Sequence, residues 1–104
     1  MAVATVTRFQ VNPGRNADFM ALVAEAKKIH ARLGATVRVW NATLAGADSG
    51  TVSYVIEHKD IAAYASFSDK LAADAEWQKF LPKAFSANPT SRAVSAALIT
   101  EAAV

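Results

Sequence analysis

Thr51-Val52-Ser53-Tyr54-Val55-Ile56-Glu57-His58, followed by Asp60-Ile61-Ala62-Ala63-Tyr64, decides the fold of this chain. This eight-residue run, rich in β-branched and aromatic residues, reads as a strand. The aspartate after it is placed to cap a helix. The same order occurs earlier, where Thr5-Val6-Thr7-Arg8-Phe9 leads to Ala17-Asp18-Phe19 and a long helical pattern. A strand feeding a helix and then a strand, twice over, gives the order βαββαβ. That order predicts an α+β, ferredoxin-like domain with a four-stranded antiparallel sheet and both helices on one face.

Composition sets the bounds. The chain has 104 residues, 53% of them hydrophobic and 19% charged, which suits one folded domain over residues 1–104. The apolar share exceeds what one small core absorbs, which predicts a buried subunit interface. The formal charge is +2 and the basic residues are scattered, with Lys27-Lys28 the only adjacent pair. A nucleic-acid surface needs a stripe of positive charge, so none is expected. With no cysteine, disulfides, thiolate catalysis and thiolate metal sites are excluded. No stretch reads as a signal run or a membrane span, so a soluble cytoplasmic protein is expected.

Residues 2–11 read as the first strand, and Asn12-Pro13-Gly14 as a turn. Asn16 is the expected N-cap of a helix carrying Phe19, Leu22, Val23, Ala26, Ile29, His30 and Leu33 at three- and four-residue spacing. Gly34 ends it. Ala35 to Ala45 reads as the second strand, Gly46–Gly50 as a hairpin loop and Thr51–His58 as the third strand. The next helix starts at Asp60 and breaks near Ala73. Asp74 then caps a second piece bearing Trp77, Phe80, Leu81 and Ala84, and Asn88-Pro89 stops it. Ser91–Thr100 is the last strand.

Alternation assigns the faces. Val3, Phe9 and Val11 share one side of the first strand, with Val6 and Arg8 on the other. Val52, Tyr54, Ile56 and His58 oppose Ser53, Val55 and Glu57. In the last strand Val94 and Leu98 oppose Ser95 and Ile99. No strand is apolar on one side and charged on the other, so helices are expected on one face and a partner sheet on the other.

Two segments carry a resemblance. Arg8-Phe9-Gln10-Val11-Asn12-Pro13-Gly14 with the helix bearing Phe19 resembles the opening of dimeric α+β barrel proteins. Asp60-Ile61-Ala62-Ala63-Tyr64, running on to Asp74-Ala75-Glu76-Trp77-Gln78-Lys79-Phe80, is similar to the second helix of NIPSNAP-like members. Ser91–Thr100 departs from the closing motif usual there. The resemblance implies a homodimer built sheet against sheet. It also implies kinship with antibiotic-biosynthesis-monooxygenase-like proteins, within a superfamily that contains cofactor-independent monooxygenases, haem-degrading enzymes, isomerases and many members with no known activity.

The candidate residues follow. His30 lies on the apolar side of the first helix. It is either a buried, satisfied histidine or a proton acceptor or haem ligand facing a pocket. Tyr54 offers a hydroxyl to a ligand or to a backbone carbonyl. His58 is expected as a solvated strand-end residue, with ligand binding as the alternative. Trp40 and Asn41 must point to opposite faces. The resemblance gives either one the task of holding an electron-rich aromatic substrate, while Trp40 also suits a dimer interface. Trp77 and Phe80 are either core or a ligand wall. Arg8, a charge in mid-strand, is expected to pair across the dimer interface with a carboxylate such as Glu57 or Glu101, or to bind an anionic ligand. The histidines lack metal-ligand spacing, so no metal is expected, and no resident cofactor is assigned. Three readings result: a small-molecule-binding protein of cofactor-independent monooxygenase type, a non-catalytic dimeric scaffold, or a haem-binding or haem-degrading protein.

Overall fold

The computed structural model describes residues 1–44 and 46–104. Its order is β1 (Val3–Val11), α1 (Asn16–Arg32), β2 (Thr36–Asn41), a 3₁₀ turn (Gly46–Asp48), β3 (Thr51–His58), α2 (Ile61–Ala73), α3 (Ala75–Ala84) and β4 (Ser91–Thr100). The four strands form one antiparallel sheet in the order β2-β3-β1-β4. The α+β, ferredoxin-like expectation is met. Among the described residues, no helix is long and apolar enough to cross a membrane.

Local chemistry sets the helix limits. Asp60 caps α2 by accepting a hydrogen bond from the Ala63 amide at 2.7 Å, and Asp74 caps α3 through the Trp77 amide at 2.9 Å. The break at Ala73 therefore stands where the sequence places it. Arg32 reaches across from α1 to clasp Asp74 at 2.8 Å and Glu76 at 3.0 Å. Its guanidinium, with the Trp77 amide, holds the Asp74 carboxyl below its ordinary pKa. Replacing Asp60 by alanine is expected to lower stability by about 1 kcal/mol, because the Ala63 amide loses its acceptor. Urea denaturation checks this, and an unchanged midpoint would count against the cap.

Three expectations are corrected. Asn16 is not the N-cap of α1. Arg15 holds that position without a side-chain capping bond, and it pairs instead with Asp18 at 3.0 Å. Asp18 thereby places its charge in the first turn, where the helix dipole favours it. The second strand stops at Asn41 rather than running toward Ala45, which lies outside the described residues. Beyond it, Ala42 exchanges backbone bonds with Thr51 and Gly50 that close the hairpin. Finally, the β1–β4 register shifts between Arg8 and Phe9, so that Arg8 faces Ser95 while Phe9 faces Ala93. Val94 is the extra residue of a β-bulge and drops out of the alternation. Ser95 and Ile99 still oppose Leu98.

At its far end α1 closes as the sequence indicates. Gly34 takes a φ of +92°, its amide bonds to the Ala31 carbonyl, and the Ala35 amide bonds to that of His30. This double closure needs a residue that tolerates positive φ.

The core lies between the helices and one sheet face. In β3, Val52, Tyr54, Ile56 and His58 are all buried, while Ser53, Val55 and Glu57 are less so. Phe19, Val23, Ala26 and Ile29 of α1 pack onto this face, joined by Phe67 and Phe80. The opposite face stays open. Trp40, Val55, Ala97 and Ile99 lie there, with Trp40 58% and Ile99 50% exposed. Ser91 is half-buried and the rest of β4 is exposed.

Candidate functional site

Helix α1 brings His30 down onto the sheet opposite Tyr54 of β3. His30 Nδ1 and the Tyr54 hydroxyl lie 2.5 Å apart in a buried hydrogen bond. His30 is 4% and Tyr54 8% exposed. Three rings enclose the imidazole: Trp77 at a centroid distance of 4.7 Å, Tyr54 at 5.5 Å and Phe67 at 5.6 Å. Burial lowers the His30 pKa to about 4 and raises that of Tyr54. Both groups are therefore neutral near pH 7. His30 Nε2 is buried and has no hydrogen-bond partner.

A cavity of about 600 Å³ adjoins this pair. Phe9 and Ile56 line its sheet side, and Phe19, Leu22, Val23 and Ala26 its α1 side. Leu71, in the last turn of α2, also lines it. Trp77, Phe80, Leu81 and Ala84 form the α3 wall, and Phe85, Ser86 and residues 89–93 complete the lining. Trp77 and Phe80 stack at 5.3 Å. They form one wall of the cavity and do not fill it. No aspartate or glutamate lines the cavity. A volume of this size, apolar apart from a few polar groups, is typical of small-molecule sites.

The structure gathers His30, Tyr54, Trp77 and Phe80 and disperses the other candidates. Arg8 lies on the open sheet face and within the chain pairs with Asp48 at 2.9 Å. The 3₁₀ turn places Asp48 within reach, and Glu57 is taken by Arg38 at 3.2 Å. Trp40 lies on the open face, and neither it nor Asn41 lines the cavity. His58 is 8% exposed rather than solvated, because Tyr64 and Phe67 of α2 pack over it at 5.5 and 5.0 Å. It borders a second hollow of about 450 Å³ at the other end of the sheet. Burial lowers its pKa, and its Nε2 also lacks a partner. Among the described residues, no group of three or more histidines, aspartates or glutamates could hold a metal ion.

The sequence reading left Phe67, Leu71 and Phe85 out of the site. Phe67 stands between the two imidazoles, and its i, i+4 spacing to Leu71 was the available signal. Nothing local to Phe85, 80% exposed just past the end of α3, marks it as bordering the cavity.

A two-layer βαββαβ domain with helices on one face of an antiparallel sheet is the ferredoxin-like α+β fold. The NIPSNAP family model matches residues 5–102, and the chain belongs to that family. The match takes in β4, whose sequence departs from the usual closing motif. Among solved structures, a NIPSNAP family protein from Agrobacterium tumefaciens is 18% identical. It has a TM-score of 0.75, with 99% of this chain and 95% of that one covered. A NIPSNAP domain protein from Burkholderia xenovorans is 22% identical, with a TM-score of 0.72 and 99% and 96% covered. SnoaB, a cofactor-independent oxygenase from Streptomyces nogalater, is 16% identical, with a TM-score of 0.68 and 99% and 95% covered. None of the curated proteins matches the chain.

Proposed function

We propose that this protein binds a small aromatic or phenolic molecule in the cavity and oxidises it with molecular oxygen, as a cofactor-independent monooxygenase does. The observation that carries this reading is the buried His30–Tyr54 pair on the wall of an otherwise apolar cavity of about 600 Å³. An electron-rich ring would sit against Phe19, Trp77 and Phe80 with water displaced. The polar pair would hold its oxygen and stabilise negative charge developing there. Such charge stabilisation is strongest where water is excluded. The likeness to SnoaB supports this reading through its fold. Oxygen uptake with a phenol or quinol should fall about 100-fold or more in Tyr54→Phe and in His30→Ala. Rates unchanged from the parent protein in both variants would remove the pair from the reaction.

The working unit in this proposal is a homodimer in the cytoplasm, paired through the open sheet face. Trp40 and Ile99, both large and exposed there, support it. Native mass spectrometry should give a dimer that Trp40→Glu converts to monomer. A monomer at micromolar concentration in the parent protein would sink the assembly. The same apolar face also supports the non-catalytic scaffold reading, which predicts the dimer but no ligand in the cavity. Haem ligation is the weakest reading, since an axial ligand must be open to a whole macrocycle and three rings crowd the His30 imidazole.

A further inference from the structure

The hydrogen-bond accounting around His30 says more about the ligand than the cavity walls do. Among the described residues, the Tyr54 hydroxyl has one partner, His30 Nδ1. A buried hydroxyl proton needs an acceptor, and Nδ1 is the acceptor within reach. Tyr54 therefore donates and Nδ1 accepts. A neutral imidazole that accepts at Nδ1 carries its own proton on Nε2. The unpartnered atom on His30 is thus an N–H donor and not a free lone pair.

The enclosure around the imidazole is uneven. Of the three rings around the imidazole, Tyr54 and Phe67 are buried, whereas Trp77 is half-buried. Trp77 is the nearest ring and also a wall of the cavity, while Phe67 does not line it. Charge on the ligand would find little compensation. Among the described residues, Arg92 is the only charged one bordering the cavity, and its pairing with Gln10 sets it on the opposite sheet face to Phe9 and Ala93. Both ionisable groups of the pair are themselves held neutral.

We propose that the ligand of this cavity is an uncharged aromatic molecule with an acceptor oxygen of carbonyl type, which takes the Nε2–H of His30 when the Trp77 indole shifts aside. The inference rests on the binding reading above and narrows it to one class of molecule. It makes Trp77 a positioning residue that shields the donor from water until a ligand arrives.

The test uses the full chain carrying Trp40→Phe, so that Trp77 is the only fluorophore of its kind. Three probes share one ring system: naphthalene, 2-acetylnaphthalene and 2-naphthoate. The ketone should bind about tenfold tighter than naphthalene, the size of one net hydrogen bond, and should shift Trp77 emission. 2-Naphthoate should bind more weakly than either. In His30→Phe the ketone should lose its advantage while naphthalene still binds. Long-range ¹H–¹⁵N spectra of the ligand-free protein should show His30 protonated on Nε2. Protonation on Nδ1, equal affinity for ketone and hydrocarbon, or a preference for the carboxylate would each overturn this inference and leave the binding reading standing. Failure of all three probes to bind would overturn both.

Discussion

Acidification from about pH 7 to about pH 4 should cost the fold about 3 kcal/mol through His30 alone. Burial holds its folded pKa at about 4. An unfolded histidine titrates near about 6.5. Above the unfolded value both states are neutral and the contribution is complete. As pH falls through the window between the two values, the unfolded chain takes up a proton that the folded chain refuses, and stability drains away. Below about pH 4 both states are protonated and the loss levels off. His58, also shifted down by burial, adds in the same direction. Asp74, held low by its bonds to Arg32 and Trp77, gives way only in more acid solution. Urea midpoints measured across this range should fall steeply in the parent protein and less steeply in His30→Phe. Parallel profiles for the two proteins would show that His30 is not the group responsible.

Phe80→Ala should destabilise the protein by about 3–5 kcal/mol, the usual cost of emptying a buried phenylalanine site. Phe80 is 5% exposed, packs into the core cluster and stacks on Trp77. The space it leaves adjoins an existing cavity, so the surrounding side chains have little to collapse onto. Phe85→Ala, five residues on, removes the same side chain from a site that is 80% exposed and should change stability by less than about 0.5 kcal/mol. Comparing the two by urea denaturation isolates burial from residue type. Similar losses in both would mean that the end of α3 packs more tightly than its exposure indicates.

What the sequence disclosed, and what it withheld, follows from the range of each interaction. The β3 face was legible because strand alternation is local, and Val52, Tyr54, Ile56 and His58 are all buried on one side. The break between α2 and α3 was legible because Asp74 bonds an amide three residues away. His30 and Tyr54 were each legible as chemistry-bearing residues. Their contact was not, since it joins a helix to a strand 24 positions away. His58 misled because its neighbours Glu57, Lys59 and Asp60 are polar, whereas its burial comes from Tyr64 and Phe67 on the following helix. Arg8 found Asp48 within its own chain because the 3₁₀ turn brings the loop back over the sheet. The bulge at Val94 has no side-chain signature of its own and exists only in the pairing of two strands.

That pairing also governs when the molecule can form. β1 sits in the middle of the sheet, bonded to β3 on one side and to β4 on the other, with Val3 opposite Thr100. During synthesis, β1 can join β3 while its second edge still has no partner. That edge stays open until β4 has been translated. Closing so long a loop is entropically slow, so completion of the sheet, rather than growth of the helices, should limit the folding rate. The interval with an unpaired central strand is when a nascent chain is most prone to pair with a neighbour and aggregate.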